Sequence, residues 1–178
     1  MCSSRLNDPL RPFSLPRLLS RVRRNHALEH ATLHVLARRK PHTSLAGQSD
    51  FFGFWILGDV SLEEVQESVA EALQRLRSGE HKLAIHPFCG TNLAAAALLS
   101  GFATLLAFAG SGKRLRDKLE RLPLAISLSG LSLLLARPLG GWLQGNLTTS
   151  GDVQGLEVTA IRPLRRGWMR AYRISTRG

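Results

Sequence analysis

The hydrophobic residues before position 80 repeat with a helical period in two stretches. The first stretch predicts a helix over 21–39, which Pro41 prevents from continuing. The second begins at Ser61, which forms a capping-box pattern with Glu64, and it continues with helical spacing up to Gly79. Both patterns are typical of helices that bury one side and expose the other.

Short apolar runs between turn residues predict β-strands on either side of the second helix. One run spans 51–57 and the other spans 82–86. A strand, a helix and a strand over this length favour a right-handed βαβ unit with parallel strands. Near the C-terminus, 156–161 and 168–175 predict a β-hairpin, which could pair with the same sheet if both lie on one side of a membrane.

Two uncharged segments follow this predicted head. The stretch 93–110 contains no charged residue and, with Asn92 included, would form a helix about 28 Å long at ~1.5 Å per residue. That length nearly matches the roughly 30 Å hydrocarbon core of a bilayer. A second uncharged stretch covers 122–136 and continues, after Arg137, to Leu143. We therefore favour a membrane hairpin over the alternative, which is two buried core helices of a soluble dimer.

Together these patterns predict an α+β membrane protein with an N-terminal helix and small βαβ head, a hydrophobic helical hairpin and a C-terminal β-hairpin. The predicted divisions are a basic, proline-containing arm at 1–20, the head at 21–91, the membrane hairpin at 92–143 and a basic hairpin tail at 152–178. For the arm, disorder is favoured over a helix lying on the membrane surface.

The charge pattern favours a lipid partner. The formal net charge is +11, and the basic residues cluster in 5–24, 113–121 and 162–177, which flank the apolar segments. This arrangement predicts binding to the lipid bilayer and its anionic headgroups. Nucleic-acid binding is not expected, because aromatic residues do not interleave with the basic ones. The sequence predicts no particular protein partner.

The expected location is the bacterial inner (cytoplasmic) membrane. Arginines interrupt the apolar residues before position 20, so the N-terminus does not resemble a signal peptide, and we expect head and tail to be cytoplasmic. The basic loop 113–121 then faces the opposite side, against the positive-inside rule. A re-entrant or shallow hairpin would remove this conflict.

The first predicted helix carries a metal-binding pattern, His26-Ala27-Leu28-Glu29-His30. Two histidines one helical turn apart project to the same side and can bind one transition-metal ion. Glu29 lies beside them, where a carboxylate can take a proton from a water at the metal, and the order H-x-x-E-H is that of inverzincins. The alternative is a polar helix face with ordinary histidines.

A second pattern, His86-Pro87-Phe88-Cys89-Gly90-Thr91, lies between the last predicted head strand and the first apolar helix. Cys89 would sit just before a helix N-terminus that Thr91 or Asn92 caps, and helix amides favour a thiolate, which is a good zinc ligand. Taken separately, a buried structural thiol beside a turn is the favoured explanation.

The two patterns together predict one site, because a βαβ unit can return the second pattern to the helix that carries the first. We expect zinc or another divalent transition metal there. The predicted ligands are His26, His30, His86 and Cys89, and the predicted general base is Glu29. His42 and His81 are expected to lie at the surface, and for His34 a solvated side chain is favoured over the alternative of a further ligand.

These motifs, followed by a predicted membrane span, resemble the YqhQ-like family of bacterial membrane proteins, which are predicted metal-dependent enzymes of unknown function. The resemblance covers about 25–110 and rests on H-x-x-E-H plus H-P-x-C-G-T. It implies that the five site residues form one centre. The chain departs from the family pattern at Ala27, Leu28 and Phe88, which leaves the ligands intact and puts any shared substrate in doubt.

Two functions fit this site. The first is a membrane-anchored, metal-dependent hydrolase, expected to use zinc, whose substrate would be a peptide, a lipid-linked molecule or another amphiphile. The second is a non-enzymatic membrane adaptor or scaffold with a structural zinc, in which four protein ligands leave no open position. Haem binding through a histidine or Cys89 is a weaker third alternative. The number of protein ligands distinguishes the first two.

Overall fold

A computed structural model describes residues 15–112, 114–166 and 169–178. Most of the predicted arm, 1–14, lies outside the described residues, as do Lys113 and 167–168. The described elements, in chain order, are α1 (Leu15–Arg39), β1 (Leu45–Asp50), β2 (Gly53–Gly58), α2 (Leu62–Arg77), α3 (Gly90–Phe108), α4 (Leu115–Leu143), β3 (Glu157–Arg166) and β4 (Met169–Arg177). A short 3-10 helix, His81–Ala84, precedes α3, and a π-helix, Gln144–Thr148, follows α4.

The sheet is antiparallel and has the strand order β1-β2-β4-β3, so the predicted parallel βαβ unit is wrong. β1 and β2 form a hairpin around Phe51 and Phe52, which the apolar pattern places inside a strand. β1 is not predicted from the sequence because Leu45 is its only large apolar residue. The predicted C-terminal hairpin is confirmed, and its strand β4 pairs with β2 in the head.

The predicted strand at 82–86 is also wrong, because this segment contains the 3-10 helix His81–Ala84. Both edges of β2 are already paired, one with β1 and the other with β4, so a strand after α2 has no place beside it. The apolar residues of this segment instead pack in the core. Ala84 is buried there, and Leu83 packs against the core.

The helices α1 and α2 pack against the sheet and against each other to form the core. The largest buried apolar side chains of this core are Leu28, Leu36, Phe54, Ile56, Leu76, Leu156 and Ile174. The predicted capping box of α2 is confirmed, since the Ser61 hydroxyl accepts from the Glu64 amide and the Glu64 carboxylate accepts from the Ser61 amide. α1 starts at Leu15, earlier than predicted.

The helices α3 and α4 form a hairpin that packs through small residues. The buried residues of the two helices are Ala95, Ala103, Ala107, Ala125, Ser132, Ala136 and Gly140. The hydroxyls of Thr104 and Ser129 lie 3.1 Å apart and form a hydrogen bond between the helices. Large apolar side chains point outward, and Leu98 is 76% exposed. Both helices are long and apolar enough to cross a membrane.

A fully buried asparagine joins α1 to one end of the sheet. The Asn25 side-chain amide donates to the main-chain carbonyls of Asp50 at 2.9 Å and Phe51 at 3.2 Å. Its carbonyl accepts a hydrogen bond of 2.7 Å from the hydroxyl of Thr176. One side chain therefore fixes the β1–β2 turn and the end of β4 relative to the helix.

We expect Asn25→Ala to lower the free energy of unfolding by about 2–4 kcal/mol, because each buried polar group that loses its partner costs roughly 1–3 kcal/mol. Urea unfolding of the full chain in detergent measures this difference. The matched control is Asn146→Ala, since Asn146 is exposed and its side-chain amide donates to the carbonyl of Trp142. Equal stability of the two variants would contradict this role of Asn25.

Candidate metal centre

Two histidines of α1 point into the space between this helix and the start of α3. The rings of His26 and His30 are 4.2 Å apart between centroids. His26 Nδ1 lies 3.0 Å from the carbonyl oxygen of Thr148, and His30 Nδ1 lies 2.7 Å from that of Ala84. A carbonyl oxygen can only accept, so each ring in its neutral form carries its proton on Nδ1, and the other nitrogen, Nε2, is the one that could bind a metal.

Cys89 completes a group of three ligand atoms. It is the N-cap residue of α3, in place of the predicted Thr91 or Asn92, and the Thr91 amide donates to its sulfur at 3.4 Å. Its Sγ lies 3.3 Å from His26 Nε2. One ligand atom each from His26, His30 and Cys89 lie within 4.8 Å of one another. We call these three residues the triad.

The triad fits a transition-metal ion. Ligands about 2.0 and 2.3 Å from a tetrahedral zinc lie roughly 3.5 Å apart, which is close to the separation between the Cys89 sulfur and His26 Nε2. Imidazole and thiolate are the donors that zinc and related metals prefer. The carbonyl partners at Nδ1 are the arrangement that orients metal-binding histidines in known sites. The triad could therefore hold a metal, whose identity is open.

The charges of the triad suit metal binding. Burial would raise the pKa of the Cys89 thiol, but hydrogen bonds from His26, His30 and Thr91 lower this pKa to about 5. Burial lowers the pKa of His26, but its contact with Cys89 outweighs this effect and raises the pKa overall. Cys89 is therefore a thiolate at neutral pH, which is the form that binds metals.

The side chain of Glu29 lies beside the triad and is only 4% exposed. Its carboxylate rests against Gly47 of β1, where an added Cβ atom would collide with it, and it accepts a hydrogen bond from Ser49. Burial raises the pKa of Glu29. Electrostatic attraction to His30 and His26 acts in the opposite direction but does not cancel the rise. It is not one of the three converging ligand residues.

His86 lies outside the triad in this structure. Its ring centroid is 5.6 Å from that of His30 and 4.8 Å from that of His34, and its Nδ1 accepts from the Phe88 amide at 3.3 Å. Burial, together with the neighbouring His34 and His30, lowers the pKa of His86 to about 4, so this ring is neutral at pH 7. His34 is partly exposed beside this loop, and its Nε2 lies 2.8 Å from the Ile85 carbonyl oxygen.

The segment that follows α4 supports the site, and sequence reasoning missed it. Gln144 is fully buried; its side-chain oxygen accepts from the His86 amide at 2.8 Å and its nitrogen donates to Asn92 at 2.9 Å. Thr148 supplies the carbonyl that orients His26. The available signal was a polar run, Gln144-Gly145-Asn146, directly after an apolar segment.

A cavity of about 390 Å³ opens onto the triad. Its lining comprises the triad, residues 45–49 of β1, and Glu29, Leu33, His86, Phe88, Gly90 and Thr91. This volume lies within the range of about 300–1,000 Å³ that is typical of sites for small ligands. A molecule in this cavity would touch both the triad and Glu29.

Comparison with known proteins gives a family. The model described as "Domain of unknown function (DUF6391)" matches residues 21–161, which include the triad and both apolar helices. An uncharacterized protein of Picosynechococcus sp. is 36% identical over 140 residues, which cover 72% of this chain and 66% of that protein. The chain therefore spans slightly less than two thirds of this curated relative. No solved structure shows a significant match.

Neither comparison supports the resemblance to the YqhQ-like family. The match to the DUF6391 model covers most of the chain, and the alignment of the chain with the relative has a similar length. The chain belongs to the DUF6391 family.

Proposed function

We propose that this protein is a membrane-anchored, metal-dependent hydrolase, in which His26, His30 and Cys89 hold zinc or another divalent transition metal and Glu29 is the general base. One observation carries the proposal: three ligand atoms converge at the wall of an open cavity that also contains a buried carboxylate. Three protein ligands and an open fourth position are typical of catalytic zinc, whereas structural zinc has four protein ligands.

The distance of His86 from the triad favours the enzyme over the structural adaptor. The Phe88 amide donates a hydrogen bond to His86 Nδ1, and His86 is not one of the three converging ligand residues. With three protein ligands, a metal at the triad would keep one position for water. A closed site would instead need this ring to turn and approach the triad.

Each group of residues in the site would have a different role in hydrolysis. A metal bound at the triad would lower the pKa of a water in its open position. The carbonyls of Thr148 and Ala84 orient the two imidazole rings through Nδ1. Glu29 is held by Ser49 against Gly47, and in this role its carboxylate takes the proton and passes it to the leaving group.

Membrane anchoring by α3 and α4 is part of the proposal. In the most apolar window of each helix, 17% and 11% of the residues are buried, so these helices are not the core of this chain. Since Cys89 caps α3, the site would lie where the first span leaves the head, at the membrane surface. We place the head and tail on the cytoplasmic side of a bacterial inner membrane, with anionic headgroups near the basic segments.

Removing a ligand should remove the metal. We expect His30→Ala and Cys89→Ala each to abolish stoichiometric metal in the full chain purified in detergent, as measured by plasma mass spectrometry. His42→Ala is the matched control, because His42 does not line the cavity. His86→Ala should also keep its metal, and unchanged metal content in His30→Ala would disprove the site.

Glu29→Gln should keep the metal and the fold but lose catalysis. Glutamine preserves the shape of the side chain but cannot accept a proton at neutral pH, and loss of a positioned general base typically costs about 10²- to 10⁴-fold in rate. Metal affinity is measured first, and then turnover of any substrate that is found. A 10- to 100-fold loss of metal affinity would instead indicate a residue that orients a ligand, and the adaptor would replace the hydrolase.

The intact chain should stay in the membrane pellet after carbonate extraction. Asp at the centre of a span costs about 2.5–3.5 kcal/mol, so the double variant Leu98→Asp/Leu105→Asp should shift protein to the supernatant. Leu164→Asp, in the sheet, is the control with an exposed leucine outside the helices. A full chain that is soluble and monodisperse without detergent would contradict membrane anchoring.

A further inference from the structure

The sheet has two outer strands, β1 and β3, and among the described residues neither has a strand on its outer side. β1 pairs with β2, and the strand order β1-β2-β4-β3 leaves its other side free. The exposed side chains of Ala46 and Gln48 lie along this strand. Free edges present main-chain N–H and C=O groups that another extended chain can bind.

The register shows which main-chain groups of β1 face this free edge. The Thr176 amide donates to the Phe52 carbonyl, so the even-numbered residues of β2 bond to β4 and the odd-numbered ones bond to β1. The residues of β1 that are paired with even-numbered positions therefore direct their N–H and C=O groups away from the sheet. They are Leu45, Gly47 and Ser49.

The same three residues line the cavity of the triad. All of 45–49 contributes to its wall, and Gly47 brings the strand backbone against the Glu29 carboxylate. A chain paired with β1 would lie about 4.8 Å from it, alongside the residues 45–49 that line the cavity. Leu33 and Phe88, which also line the cavity, offer apolar surface to its side chains.

We propose that the free edge of β1 binds an extended polypeptide segment as an added strand and lays one of its peptide bonds beside the triad. This inference rests on the proposed hydrolase and names its substrate class, which is an apolar polypeptide near the membrane surface. The strand pairing binds the main chain of the substrate, so it selects peptides over lipids and other amphiphiles that lack a ladder of amide groups.

The reaction at this position is peptide hydrolysis. The oxygen of water bonds to the carbonyl carbon, and the C–N bond breaks. Both protons of the water end on the leaving nitrogen, the first of them through the Glu29 carboxylate, so the products are a carboxylate and a protonated amine. Water is the only co-reactant.

Hydroxamates test the inference, because the hydroxamate group binds a metal with an open position and the attached group can be varied. The zinc-loaded full chain in detergent is titrated calorimetrically with acetohydroxamate, octanohydroxamate and N-acetyl-Leu-Ala-Leu hydroxamate. We expect the peptide probe to bind at least 10-fold more tightly than the other two. Methylation of its internal amide nitrogens should remove most of this advantage, because it blocks the hydrogen bonds to β1.

A pair of variants tests the same bonds from the protein side. Leu45→Pro removes an edge-facing N–H at the first residue of the strand, where proline is tolerated. Leu45→Ala also shortens the side chain but keeps the main-chain N–H. Leu45→Pro should bind the peptide probe about 10-fold more weakly than Leu45→Ala, with equal affinity for acetohydroxamate and equal zinc content.

The outcomes separate this inference from the proposed function. Equal binding of all three hydroxamates, or no effect of N-methylation, would overturn the peptide substrate and leave an open metal site. Tighter binding of octanohydroxamate would overturn it in favour of a lipid-like substrate. A dimer that Leu45→Pro dissociates would show that a second copy covers the edge. If no hydroxamate binds to zinc-loaded protein, the hydrolase proposal fails as well.

Discussion

The burial of the polar side of α1 is the constraint on which the rest of the structure depends. Asn25, Glu29, His30 and Thr32 are each at most 4% exposed, although they share the helix with the apolar core residues. A buried polar group without a partner is costly, so each of these must find one. The partners come from the β1–β2 turn, from β1, from the 3-10 helix before α3 and, for Thr32, from the preceding turn of α1.

This constraint links the apolar helices to the site. His26 depends on the carbonyl of Thr148, which follows α4, and Cys89 depends on the first amides of α3. Gln144 joins the two ends of the hairpin by bonding to the His86 amide and to Asn92. Close packing of Gly140 against Asn92 leaves no room for a Cβ atom at that point. The hairpin therefore positions the triad in addition to its proposed role as an anchor.

The elements that the sequence predicts well are those with a strong local signal. The capping box of α2, the two long apolar helices and the C-terminal hairpin follow from periodicity and turn residues alone. β1 has no such signal, because Gly47, Gln48 and Ser49 owe their strand conformation to pairing with β2. The parallel βαβ unit fails for the same reason, since strand direction is decided by tertiary pairing that a local pattern does not contain.

The candidate site was predictable as a set of residue types rather than as a geometry. The spacing of His26 and His30 and the position of Cys89 before an apolar helix suffice to suggest convergence, although the expected parallel sheet was not the means by which it occurs. The place of His86 outside the triad depends on hydrogen bonds to Phe88 and Gln144 that are fixed only in the folded chain. The contribution of β1 to the cavity lining is likewise fixed only in the folded chain.

The most direct test of the central claim is zinc K-edge X-ray absorption on the zinc-loaded full chain in detergent. The triad with an open position predicts two imidazole nitrogens at about 2.0 Å, one sulfur at about 2.3 Å and one further light-atom ligand from water. Acetohydroxamate should replace that water and change the spectrum, while His86→Ala should leave it unaltered. A shell of three imidazoles and one sulfur that hydroxamate does not change, or a shell without sulfur, would contradict the account.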